Sequence, residues 1–120
     1  MSAGVATATL VGLGGALGAL ARTAVGESVD AAAFPLSTFV VNVAGSFLLA
    51  LLTFAGVEGD AALLLGTGVC GAFTTFSSFA VETVQLWEDG DPVRAALNAA
   101  GNLVGAGVAI GVAWLVVRLL

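Results

Sequence analysis

The chain has 120 residues, 59% of them hydrophobic and 9% charged, with eight acidic and three basic side chains and a formal net charge of −5. That balance lies outside the range of soluble domains and marks an integral membrane protein. The lack of histidine and a single cysteine, Cys70, exclude imidazole chemistry and an internal disulfide; no base accompanies the serines and threonines, so neither an enzyme nor a nucleic-acid partner is expected.

Charge divides the chain into uncharged intervals at 2–21, 31–57, 61–81 and 95–117. About 20 residues at ~1.5 Å each cross a hydrocarbon core of ~30 Å, so every interval can span as a helix. The spacing predicts an all-α integral membrane protein, one domain over 1–120, multi-pass in the cell membrane, with transmembrane helices at about 3–24, 35–56, 61–88 and 93–118. The first helix lacks the basic start of a removable signal peptide and is too long for one. It holds Gly14-x-x-x-Gly18, and helices in lipid associate by close backbone approach at such small residues.

Helix two opens with Pro35, whose missing N–H costs nothing in a first turn. Asn42 and Ser46 follow on one face, four residues apart. A buried Asn42 needs partners, either as glue between helices or as an amide donor at a pore.

Helix three contains GVCGAFTTFSSFAVET, Gly68 to Thr83. This is a poor helix interior, because glycine is entropically costly and hydroxyls compete for backbone hydrogen bonds. A break near Gly71 to Thr75, at the bilayer midplane, is expected; a continuous helix with its hydroxyls bonded to i−4 carbonyls is the alternative. Unwound backbone at that depth must be satisfied by protein or a polar cavity. Freed carbonyls there make a site for a hard cation such as sodium. Beyond the break, Phe76 and Phe79 share a helix face beside a row of Thr75, Ser78 and Glu82. The positive edges of two rings can line an anion path, with plain packing as the alternative.

Helix four follows the acidic turn EDGDP and carries Gly101-x-x-x-Gly105 and Gly107-x-x-x-Gly111, with Asn98 and Asn102 on one face. Arg22 and Arg94 fall on one side of the membrane and Arg118 on the other. Orientation follows the Lys/Arg bias of short loops, and a margin of one arginine leaves insertion uncommitted. An antiparallel dimer of oppositely inserted copies is therefore expected. Glu27, Asp30, Glu58, Asp60, Glu88, Asp89 and Asp91 gather in the connections, which suits exposure to high salt; ordinary solvated loops explain them equally.

Three motifs resemble one family. They are GALGALAR (Gly15 to Arg22), STFVVNVAGSF (Ser37 to Phe47) and the Gly68 to Thr83 stretch, which together resemble the Fluc (CrcB) fluoride channels over essentially the whole chain. The resemblance implies a dual-topology antiparallel dimer, of this chain with itself or with an oppositely oriented homologue, enclosing two fluoride pores. It implies a structural sodium ion on the twofold axis, held by the backbone carbonyls of Gly71 and Thr74. By motif position, Phe76 and Phe79 would be the aromatic gates and Asn42 the amide donor. Thr75, Ser78 and Asn102 would form the polar track, Arg22 would stand at the vestibule, and Glu82 would be the carboxylate of helix three. Asn102 stands where members of the family usually have serine, and it can still donate through its NH₂.

Two rivals of other classes remain. A proton-coupled exporter of the small multidrug resistance type needs a carboxylate in helix one, and residues 2–21 have none. A non-conducting membrane assembly subunit would use the small-residue stripes but leave the polar rows without purpose.

Overall fold

The computed structural model describes residues 2–29 and 34–120. Asp30, one of the acidic connection residues, lies outside them. Helix α1, Ala3–Ser28, starts at Ser2, whose hydroxyl accepts the Val5 N–H at 3.2 Å and so satisfies one orphan donor of the first turn. Helix α2, Leu36–Phe54, follows Pro35. The third span is built from α3, Gly59–Ala61, a π-helical stretch, Ala62–Cys70, then α4, Gly71–Phe73, and α5, Phe76–Glu88. Between α4 and α5, Thr74 (φ −83°, ψ 159°) and Thr75 (φ −148°, ψ 118°) have extended backbones. Gly90, at φ 81°, makes the turn into α6, Pro92–Leu119, a left-handed conformation that glycine adopts without strain. The Asp91 side chain caps α6 by accepting the Arg94 N–H at 3.0 Å.

Among the described residues, Ala3–Ser28, Leu36–Phe54, Gly59–Glu88 and Pro92–Leu119 are each long and apolar enough to cross a membrane. The molecule measures 53 × 35 × 22 Å, so its long axis exceeds a hydrocarbon core of ~30 Å.

Two close approaches hold the bundle. On α1, a Cβ at Gly14 would strike the Leu64 carbonyl oxygen and one at Gly18 the Val69 carbonyl oxygen. Here the backbones of α1 and the π-helical stretch touch directly, and only glycine permits it. On α6, a Cβ at Gly105 would come within 2.8 Å of Val43 Cγ2 and 2.9 Å of Phe39 Cε2, which seats α6 against α2. A Cβ at Gly107 or Gly111 meets nothing within 4 Å; that motif points away from the subunit's own helices. The sites buried between helices include polar Thr38, Thr75, Asn98 and Asn102 beside Val41, Cys70 and small alanines.

Candidate functional site

The site is organised around the Thr75 peptide. In a continuing helix the Thr75 N–H would reach the Gly71 carbonyl; it goes instead to Asn42 Oδ1 on α2, at 2.8 Å. Asn42 Nδ2 donates back to the Thr75 carbonyl at 3.1 Å. One amide thereby satisfies both polar groups of a residue that no helix supports, the kind of compensation that buried irregular backbone demands. Thr75 itself opens α5, its hydroxyl accepting the Ser78 N–H at 3.1 Å as a cap. Just before it, the Thr74 hydroxyl donates to the Cys70 carbonyl at 3.0 Å. Among the described residues no hydrogen bond reaches the Thr74 carbonyl oxygen.

The second amide proton of Asn42 goes to Asn102 Oδ1 on α6, at 3.0 Å. Asn102 Nδ2 in turn donates to the carbonyl and to Oδ1 of Asn98, at 2.9 and 3.2 Å. Asn98 Nδ2 donates to Thr83 Oγ1 at 2.8 Å, and Thr83 donates to the Phe79 carbonyl at 2.7 Å. Asn42, Asn102, Asn98 and Thr83 thus form one connected chain across α2, α5 and α6.

Asn42 and Asn102 border a groove of about 630 Å³, lined also by Gly71, Thr74, Thr75, Phe76 and Phe79, with Ser46, Thr67 and Cys70. The rings of Phe76 and Phe79 lie 5.8 Å apart, tilted by 53°, a separation and tilt typical of interacting aromatic pairs. Phe76 is 78% exposed. Ser78 and Arg22 line a second cavity, of about 290 Å³, with Thr38 and again Thr75. Thr75 is therefore the wall that the two cavities share. Near this end, Thr38 donates to Glu82 Oε1 at 2.9 Å; Glu82 Oε2 is buried and has no hydrogen-bond partner among the described residues. Among the described residues no cluster of histidine, cysteine or acidic side chains could hold a metal.

Residues 9–114 match the family described as "CrcB-like protein, Camphor Resistance (CrcB)". The chain belongs to the CrcB-like family. A relative named "Fluoride-specific ion channel FluC 2", from Haloarcula marismortui, is 62% identical over 113 residues, covering 94% of this chain and 95% of that protein. "Fluoride-specific ion channel FluC 1" of Halobacterium salinarum is 54% identical over 92% of each chain. "Fluoride-specific ion channel FluC 2" of Natronomonas pharaonis is 51% identical over 89% of this chain and 96% of that protein.

In this CrcB-like chain the sequence residues Asn42, Thr75, Phe76, Phe79, Asn102, Gly71 and Thr74 meet at one groove, while Ser78 and Arg22 meet at the neighbouring cavity. Spacing in the sequence pairs Asn98 with Asn102 but gives no sign of Thr83 as a partner of Asn98, nor of Thr38 as the donor to Glu82. Both contacts join residues far apart or on different helices, and helical spacing reports only neighbours on one helix.

Proposed function

We propose that this chain is a fluoride-selective channel that lets the ion leave the cell passively, down its gradient, and so lowers fluoride toxicity. The observation that carries the reading is the shared groove, in which the edge-bearing Phe76–Phe79 pair stands beside the Thr75, Asn42 and Asn102 polar set. In the groove a small anion meets the positive rims of two rings and nearby hydroxyls, while Arg22 stands at the neighbouring cavity and not among them. Conduction needs attraction strong enough to admit the ion and weak enough to release it. The near full-length likeness to proteins named for fluoride conduction supports the same reading.

The working unit is an antiparallel, dual-topology dimer with the third span interrupted near the midplane. The open groove supports it: Thr74, whose carbonyl accepts no hydrogen bond among the described residues, borders it, and an unsatisfied polar backbone group facing hydrocarbon costs several kcal/mol, ~2–7 by transfer scales. A second copy of the chain covers such a face. A structural sodium ion fits the Gly71 and Thr74 carbonyls: the N–H that would occupy the first is diverted to Asn42, and the second accepts no hydrogen bond among the described residues. Bound sodium would satisfy these oxygens between subunits. Phe76, Phe79, Asn42, Thr75, Ser78, Asn102 and Arg22 are the residues along the anion path.

Efflux from liposomes, followed with fluoride and chloride electrodes, tests this. Fluoride should leave while chloride stays, and replacing sodium with N-methylglucamine should slow the loss. Equal release of both halides overturns the reading; a rate indifferent to sodium removes the ion from it.

A further inference from the structure

The hydrogen-bonded chain through the asparagines has a direction fixed at both ends. It begins at the Thr75 N–H, which can only donate, and ends at the Phe79 carbonyl, which can only accept. An asparagine amide normally takes its orientation from its network. Here two backbone groups set it, and each intermediate amide must present its oxygen to the link before it and its nitrogen to the link after it. Asn42, Asn102 and Asn98 do so in turn.

Asn98 is the one amide of the three that lines neither the groove nor the cavity shared by Arg22 and Ser78. It is 0% exposed. Reversing its amide would set its NH₂ against that of Asn102, donor to donor. It would also turn its oxygen toward Thr83, whose hydroxyl hydrogen is committed to Phe79. In a dry interior that mismatch is expensive, because linked hydrogen bonds polarise one another and unpaired ones find no water.

We propose that Asn98 is a positioning residue. By donating to Thr83 and accepting from Asn102 it locks the amides of Asn102 and Asn42, and through them the Thr75 peptide that walls both cavities. The effect on transport rests on the fluoride-channel reading; the relay does not.

The chain has three asparagines, Asn42, Asn98 and Asn102, so labelling the full-length protein with 15N-asparagine in detergent gives one side-chain amide signal pair from each link. Thr83→Val removes the acceptor of the Asn98 amide at nearly constant volume. All three pairs should shift, Asn42 included, fluoride efflux should fall at least about threefold, and Thr83→Ser should return the three pairs to their native positions. Movement of the Asn98 pair alone overturns the proposal, since a merely local packing role stops there. If Thr83→Val does not fold, Thr83→Ala carries the same expectations. Should the native protein pass no fluoride, the joint shift of the three pairs still upholds the relay, and only the transport reading falls.

Discussion

Asn42 has both amide hydrogens and its oxygen engaged within one subunit, clamping the Thr75 peptide and reaching Asn102. Of the two roles open from the sequence, glue and pore residue, these contacts show the first: the side chain binds α2 to the start of α5 and to α6, and in doing so holds the wall of the groove. Its removal strands buried groups rather than merely deleting a contact. Asn42→Leu, similar in size, leaves the Thr75 N–H and C=O without partners and should lower stability by ~1–3 kcal/mol. Thermal unfolding of the purified protein in detergent measures this; an unchanged midpoint would mean that the Thr75 backbone finds satisfaction elsewhere. Asn42, Thr75 and the phenylalanine pair, which line one groove, could be singled out from the sequence because polar and aromatic residues are conspicuous in an apolar span. The direction in which each amide points could not be read there, since it depends on partners 33 and 60 residues away.

At the scale of elements, the number and rough limits of the spans followed from where the charges stop. Their internal geometry did not. Three Gly-x-x-x-Gly motifs look alike in sequence, yet Gly14 and Gly18 lie against carbonyl oxygens of the third span, Gly105 against Val43 and Phe39, and Gly107 and Gly111 against nothing within 4 Å. A sequence gives the spacing of small residues along a helix, while the rotation of that helix toward a neighbour is set by the whole bundle. The π-helical stretch, Ala62–Cys70, was equally hidden, although it carries Gly68, where a Cβ would come within 2.8 Å of Gly14 Cα on α1. Gly18→Ala should destabilise by ~1–3 kcal/mol, the range for overpacking a filled site. Gly12→Ala, where an added Cβ meets nothing within 4 Å, should stabilise by up to ~1 kcal/mol through helix propensity. Paired denaturation curves check the opposite signs; equal effects would mean that the close approach of α1 is not what holds the third span.

For the whole molecule, the charge pattern and the open groove converge on the proposed inverted pairing. With Arg22 and Arg94 opposed by Arg118, topogenic bias is weak. Glu58 is exposed in the connection after α2 and Cys70 is buried, so Glu58→Cys provides a reporter of sidedness. An impermeant maleimide should label about half of the Glu58→Cys protein in sealed vesicles, as dual insertion requires; full labelling or none would mean one orientation. The claim on which the account turns, that fluoride passes between the rims of Phe76 and Phe79, is tested most directly by fluoride efflux from liposomes carrying Phe76→Ile or Phe79→Ile. Isoleucine keeps much of the bulk and loses the positive edge, so efflux should fall tenfold or more, about 1.4 kcal/mol in barrier height, while the protein keeps its native oligomeric size. Native rates in both variants would contradict the account.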